Sequence, residues 1–425
     1  MAGYAPSPHL SNANPGMHVI EDRDIRTAYF MPYFPAVSIR PRMSGMRLIA
    51  AAALCVVLVA AVARAGTGTE CGAPAAMSDD WPVSPPAQQG LDPELICATG
   101  PGLGKRTEAA PHGVVVVRHG ALVYEQYFED MYRVPRNANT LHDIASITKG
   151  VVALLIGIAF DGGWLSDLDA PVVSFFPEYA DLRTPEKDRI TLRHLLAMTS
   201  GLDWPERAIS LDDWANVVRQ GWSASDPYRF VLARPVEITP GTAWNYNSGG
   251  VWLLGLILRK VSKQPIEEFA KEALLEPLGI QDEMWGRFSN GDAGTSNGLR
   301  LRPRDLAKLG QLVLDGGVWH GRRIVSAGWI KQMIAPQSPR GWWFGFARSY
   351  GYLWWQGQSL VGDHDIEWVG ALGRGGQRLY AVPTLNLVVA VTAGLYKANG
   401  GSPAPESLAG DTALNSFVLP AALGH

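Results

Sequence analysis

The sequence predicts an α+β fold in which sheet-forming segments near both ends of the chain enclose a helical lobe at roughly 165–340. Three observations carry this. Val114 to Val117, then Arg118-His119-Gly120, then Leu122-Val123-Tyr124, read as two strands joined by a tight turn. Near the other end, the stretch from Trp354, Gln377 to Pro383 and Leu387 to Thr392 have strand composition. Between them, apolar residues recur at helical spacing rather than alternating. The Val114–Val117 run is apolar throughout, which predicts a strand in the middle of a sheet covered on both faces.

In chain order, residues 1–45 are polar and Pro-rich and read as a disordered or non-translated extension. Arg47 then precedes 16 apolar residues, Leu48 to Ala63, and the small-residue triplet Ala63-Arg64-Ala65. A charged start, an apolar run of this size and an Ala-x-Ala site describe a secretory signal peptide over 46–65, with Met43 or Met46 as the expected start. The run is short of the ~20 residues that span a bilayer. An uncleaved anchor through 48–63 is the alternative, favoured if translation begins at Met1. Cys55 would leave with a cleaved signal, and Cys71 and Cys97 would remain, as a disulfide or as two thiols. Residues 66–110 read as a linker, Pro- and Gln-rich from Trp81 to Asp92, and a first helix beginning at Pro93 to Cys97. The main domain is expected over 111–423.

The most informative stretch runs from Asp143 to Gly163. Val151 to Phe160 is apolar on every side, which requires burial, and it is too short to cross a membrane. Its first turn carries Ser146 and Lys149, and helical neighbours three apart share one face. A serine hydroxyl needs a base, and a lysine at its ordinary pKa of about 10.4 is protonated. Sunk against an apolar helix, the ammonium loses solvation and its pKa is expected to fall, which makes Lys149 a candidate base. The helix start also offers unpaired N–H groups where an oxyanion would develop.

Farther on, Leu192 to Met198 is a short helix with Thr191 as N-cap and Ser200-Gly201 as its stop. Leu211 to Val231 reads as helical and aromatic. Pro240-Gly241 turns the chain into Tyr246-Asn247-Ser248, ahead of an apolar helix from Val251 to Val261, so Tyr246 sits on a loop that can aim it into a cleft. Leu299 to Leu314 and Ser326 to Ile334 read as amphipathic helices, and Glu406 to Leu419 as a closing helix.

At 425 residues, 47% hydrophobic with 15 Trp, the chain can bury a large core. A net charge of −3 gives no basic footprint for nucleic acid. Phosphate-loop, dinucleotide and paired Cys or His patterns are missing from the sequence, so neither a cofactor nor a metal is expected. A membrane is an expected partner only if the signal segment stays attached.

The ordered set His142-Asp143-Ile144-Ala145-Ser146-Ile147-Thr148-Lys149, Leu195 to Leu202, Pro240-Gly241-Thr242 leading to Tyr246-Asn247-Ser248, and Gly373-Arg374-Gly375-Gly376-Gln377 resembles the serine β-lactamase and penicillin-binding-protein superfamily. The likeness covers roughly 80–420 and is strongest to the class C-related branch of esterases, D,D-peptidases and 6-aminohexanoate-dimer hydrolase. It implies a β-lactamase/transpeptidase-like antiparallel sheet flanked by helices, with an inserted all-helical lobe. It further implies Ser146 as the acylated nucleophile, Lys149 as its activating partner and Tyr246 as a proton shuttle. Ser248, Gly373, Arg374, Gly375 and Gly376 are the implied substrate-binding positions, and the strand there would supply a main-chain N–H to an oxyanion hole. Two departures stand out: Ser248 replaces the asparagine of Tyr-x-Asn, and Gly373 replaces the lysine of the third motif. Both point toward hydrolysis of a small-molecule ester or linear amide. A D,D-carboxypeptidase, a weak β-lactamase and a non-catalytic peptidoglycan- or β-lactam-binding homologue are the alternatives.

Arg374 is read either as a solvated strand arginine or as a holder of a substrate carboxylate in place of the lost lysine. Trp204, Trp342, Trp343, Trp354 and Trp355 are expected to be mostly core, with some walling a cleft. His142, His194 and His364 are expected to be structural, since no Gly-x-Ser-x-Gly elbow accompanies them.

Overall fold

The computed structural model describes residues 71–130, 132–338, 347–396 and 406–424. The expected signal or anchor, the extension before it, and Trp342 and Trp343 lie outside the described residues. Among those described, no helix is long and apolar enough to cross a membrane.

Seven antiparallel strands form the main sheet: β1 Pro111–Arg118, β2 Ala121–Tyr127, β3 Ala347–Tyr350, β4 Trp355–Val361, β5 His364–Gly373, β6 Gln377–Val382 and β7 Leu387–Ala393. Their spatial order is β2-β1-β7-β6-β5-β4-β3, so the first hairpin is completed by the last strand. Val115 stands opposite Ala390 on one side and Glu125 on the other. All eight residues of β1 are buried because both edges are paired and both faces are covered. One face carries the helix Pro303–Leu314, where a Cβ on Gly310 would lie 2.7 Å from Val388 Cγ1 and 2.9 Å from Leu379 Cδ1. The opposite face carries the closing helical segment Leu408–Leu423, whose Asp411 accepts a hydrogen bond from Tyr380.

Leu299 to Leu314, expected as one helix, divides into a strand and a helix. Leu299–Leu301 pairs with His142–Asp143 and with Met284–Trp285, and the helix starts only at Pro303. Proline is preorganised for the first helical position and supplies no N–H to continue a strand, so it sets the boundary. The middle of the chain is helical, with Val217–Ser223, Pro227–Leu232 and the longer helix Ser248–Ser262. Residues 211–216, expected to open the first of these helices, form turns ahead of the Asn216 N-cap.

The stretch from Trp81 to Asp92, expected as a linker, is packed. Trp81 is buried edge-on against Trp319 and donates to the Arg304 carbonyl, and Leu91 joins the core. Cys71 and Cys97 form a disulfide. Between them, the buried Arg304 guanidinium holds Asp79 at 3.0 Å, Glu125 at 2.5 Å and the Ala75 carbonyl at 2.8 Å. Pairing this complete offsets the cost of burying the guanidinium, so the segment is fixed to the sheet as well as crosslinked.

The apolar helix α1, Ile147–Asp161, lies between the sheet and Ser248–Ser262. Its burial on all sides explains the absence of a polar face. Two tryptophans approach its backbone: Trp354 Nε1 donates to Gly150 O at 3.3 Å and Trp329 Nε1 to Ala153 O at 3.0 Å. A Cβ on Gly157 would sit 2.2 Å from the Trp329 ring, so glycine is required there despite a helix-propensity cost of about 1 kcal/mol.

Candidate active site

Ser146 is the N-cap of α1, yet its hydroxyl makes no capping bond. A serine at this position ordinarily accepts from a first-turn N–H. Here Lys149 Nζ donates to Ser146 Oγ at 3.0 Å instead. The approach to Ser146 is tightly built. Ala145 has φ +48°, a left-handed conformation that costs a non-glycine residue energy and is held by its surroundings. Its N–H donates to Asp143 Oδ1 at 2.7 Å, Thr148 Oγ1 donates to its carbonyl at 2.7 Å, and Tyr396 donates to Asp143 O at 3.1 Å.

Lys149 is 2% exposed. Besides Ser146 it donates to the Ser296 carbonyl at 2.8 Å, and Ser296 Oγ accepts from Trp252 Nε1 at 2.8 Å. The amine is therefore fixed from two sides. Tyr246, one residue ahead of the Asn247 N-cap, presents its ring to the same amine, with Nζ 4.8 Å from the ring centre. Among the described residues the Tyr246 hydroxyl makes no hydrogen bond to Ser146 or Lys149; the contact is through the ring face. Arg207 lies 4.7 Å from the ring centre, its pKa lowered chiefly by burial and partly offset by Tyr246 and Glu206.

Neither residue following Tyr246 presents a side-chain amide to the chambers: Asn247 lines neither of them, and its Nδ2 is buried without a hydrogen-bond partner among the described residues. Asn247 Oδ1 accepts from Gly250 N at 2.8 Å and so caps the Ser248–Ser262 helix. Ser248 is committed to Glu206: its N–H donates to Oε2 at 2.7 Å and its hydroxyl to Oε1 at 3.1 Å. Glu206 also accepts from Trp204 Nε1 at 2.7 Å. This buried carboxylate was not legible in the sequence, since it lies 42 residues from Ser248 in a loop without periodicity.

Gly373 ends β5 directly against the nucleophile turn. A Cβ there would lie 2.6 Å from Ile144 O and 3.2 Å from Ala145 Cβ, so no side chain fits where relatives of this pattern carry lysine. Arg374 follows β5 in the hairpin turn and stays partly exposed: its Nη2 lies 3.2 Å from both Asp212 carboxylate oxygens and donates to Tyr396 O at 3.0 Å. Gly375 and Gly376 turn away from the cleft, with φ +80° and +95°, and pack against the Tyr396 ring and Ala393. The turn needs glycine at both for conformational reasons.

Two adjoining chambers, about 580 and 230 Å³, meet at Ser146. Both include Glu206, Leu211, Arg374 and Tyr396 in their walls. Tyr246, Gly373 and Trp355 face the larger, and Lys149 and Ser248 the smaller. Burial first, then the Asp143 charge, raises the Tyr396 pKa, which keeps this wall residue a neutral donor. Asn216 organises the loop over the cleft by donating from Nδ2 to Glu206 O and Ile209 O at 2.9 and 2.7 Å. The sequence-predicted Ser146, Lys149, Tyr246, Ser248, Gly373 and Arg374 thus converge. Trp204 and Trp354 are core. His194 accepts from Thr191 N at 3.2 Å in a capping box, and His142 meets His112, Nε2 to Nδ1, at 2.5 Å. Among the described residues, no group of three or more His, Cys, Asp or Glu is arranged to hold a metal ion.

The family profile described as Beta-lactamase matches residues 106–407. Esterase EstB of Burkholderia gladioli is 30% identical over 40% of this chain and 45% of its own length. The 6-aminohexanoate-dimer hydrolase of Paenarthrobacter ureafaciens is 26% identical over 74% of this chain and 80% of its own. The chain thus spans under half of the first relative and most of the second. Among solved structures, the octameric penicillin-binding protein homologue from Pyrococcus abyssi superposes with a TM-score of 0.57 at 26% identity, over 73% of this chain and 75% of that one.

Proposed function

Since the chain belongs to the beta-lactamase family, we propose that it is a serine hydrolase cleaving an ester or a linear amide through an acyl-enzyme on Ser146. The observation that carries this is the Lys149 Nζ to Ser146 Oγ contact of 3.0 Å, made at the junction of two chambers with the Tyr246 ring beside the same amine. Ser146 Oγ attacks the carbonyl carbon while its proton passes to the Lys149 and Tyr246 pair. The tetrahedral oxyanion is held by main-chain N–H groups of Ser146 and of Arg374 at the end of β5. The leaving alcohol or amine departs with the proton, and water, activated by the same pair, releases the acid. The Tyr246 hydroxyl reaches the reacting atoms when substrate occupies the larger chamber, as catalytic hydrogen bonds commonly tighten only in the substrate complex.

Names of two relatives, an esterase and a 6-aminohexanoate-dimer hydrolase, support the same reaction class. The crowding at Gly373 and the commitment of Ser248 to Glu206 favour linear substrates over β-lactams, because neither the third-motif cation nor the side-chain amide is present. The test is a panel of p-nitrophenyl acetate and butyrate, nitrocefin, a D-Ala-D-Ala peptide and a linear 6-aminohexanoate dimer. Cleavage of an ester or of the linear amide with little nitrocefin turnover is expected. Rapid nitrocefin hydrolysis, or failure on every substrate, would overturn it.

Export through the 46–65 segment is proposed as well. The Cys71–Cys97 disulfide supports it, since such bonds persist in oxidising compartments. N-terminal sequencing of protein recovered from outside the cytoplasm is the check, and a reduced pair in cytoplasmic protein would count against it.

A further inference from the structure

Arg378 is the second residue of β6 and is 7% exposed. Its Nη1 donates to two carbonyls, Gly373 O at 2.9 Å and Gln377 O at 2.8 Å. Among the described residues, no carboxylate oxygen lies within 4.0 Å of its guanidinium, in contrast to the fully paired Arg304. Gly373 and Gln377 face each other as the last pair of the β5–β6 hairpin. Nη1 of Arg378 thus serves main-chain oxygens at the strand end that abuts Ser146, while the side chain also reaches Tyr380 and the wall of the larger chamber.

From this geometry we infer that Arg378 is a positioning residue for the oxyanion hole, acting through the peptide unit that joins Gly373 to Arg374. The inference rests on the acyl-enzyme reading above. A trans peptide is planar, with its C=O and N–H pointing in opposite directions. A guanidinium fixed on the Gly373 oxygen therefore fixes the direction of the Arg374 N–H, opposite to that bond, at a strand end that lines the same chamber as Ser146. The hydrogen bond is charge-assisted, and it polarises the amide so that its N–H becomes a stronger donor. Gly373 without a Cβ lets this peptide approach the Ala145–Ser146 turn. Arg374 supplies the donor from its main chain, while its side chain is held by Asp212 and Tyr396.

The test compares Arg378→Met, Arg378→Gln and Arg378→Lys with the wild-type chain, after ester turnover and its loss in Ser146→Ala have been established. That first comparison tests the acyl-enzyme reading separately. For Arg378→Met and Arg378→Gln, kcat should fall about tenfold to a hundredfold with KM changed less than about threefold, somewhat less than loss of a whole oxyanion donor. Affinity for a boronic acid, which forms a tetrahedral adduct on serine, should fall by a similar factor. Affinity for the planar product acid should hold, and Arg378→Lys should recover most of both losses. A rise in KM at constant kcat would make Arg378 a substrate contact. A fall in kcat that follows melting temperature, with boronate affinity unchanged, would make it a hairpin staple. Either would overturn the inference. Should Arg378→Met fail to fold, the Gln and Lys variants carry the same comparison.

Discussion

Lys149 Nζ lies 3.0 Å from Ser146 Oγ and is fixed from behind by the Ser296 carbonyl at 2.8 Å. An amine held on both sides cannot swing away from the hydroxyl, so the pair is preorganised before substrate arrives. Lys149→Ala should lower kcat roughly 10²- to 10⁴-fold, the usual worth of a positioned proton acceptor. Tyr246→Phe, which keeps the ring contact and removes only the hydroxyl, should lower it by a similar order without shifting the melting temperature by more than a few degrees. Steady-state kinetics alongside thermal melts checks both, and unimpaired turnover by Tyr246→Phe would remove tyrosine from the proton pathway.

Glu206 is the polar anchor beneath the cleft. It accepts from Ser248 N, Ser248 Oγ and Trp204 Nε1. Glu206→Ala leaves these buried donors without an acceptor and should destabilise the protein by about 3 kcal/mol, since each unsatisfied buried group costs about 1–3 kcal/mol with partial relief from water. Glu206→Gln retains one acceptor oxygen and should cost less. Urea unfolding of the three proteins gives the ranking; equal stability of Glu206→Ala and wild type would show that the loop is held by other contacts.

The Arg374–Asp212 pair spans the cleft, yet the Asp212 side chain is 60% exposed. Exposed pairs contribute about 0–1 kcal/mol, so Asp212→Asn should leave the melting temperature nearly unchanged. Freed from its carboxylate, Arg374 should favour substrates that carry an acid group. The ratio of kcat/KM for an acidic over a neutral ester should rise several-fold in Asp212→Asn. An unchanged ratio would show that Arg374 does not meet substrate.

His112 and His142 form a buried pair leading into the nucleophile turn. Burial first, then the charge of His142, lowers the His112 pKa to about 4, and burial lowers that of His142 as well. Between about pH 6.5 and 4 the unfolded chain binds a proton at His112 that the native protein refuses, so stability rises with pH across this window. Acidification from pH 7 to 4.5 should therefore cost up to about 3 kcal/mol from this group, at about 1.4 kcal/mol per pH unit. His112→Gln should flatten the slope, read from urea midpoints at several pH values. An identical slope would place the acid sensitivity elsewhere.

Much of the framework was legible because local pattern and burial agree. The apolar Val114–Val117 run could only be an interior strand, and the featureless helix after Ser146 could only be enclosed. Which strand completes the pairing is a separate matter: the valine run pairs with β7, where Val391 lies 277 residues beyond its partner Val114. The split at Pro303 leaves no periodic trace, because Leu299 and Leu301 suit helical and strand periods alike over so short a run. Glu206, Asp212, Tyr396 and Arg378 are not legible in the sequence for another reason. Each acts through a partner distant in sequence or through a backbone oxygen, and neither leaves a periodic signature. The Cys71–Cys97 bridge was equally undecidable from spacing, since it depends on how the packed Trp81 segment returns to the sheet.

The most direct test of the central claim is the intact mass and peptide map of the protein after brief reaction with a fluorophosphonate. One adduct per chain, located on the peptide containing Ser146, absent in Ser146→Ala and strongly slowed in Lys149→Ala, is the predicted result. Modification at a different serine, or equal labelling of Ser146→Ala and the wild type, would contradict it.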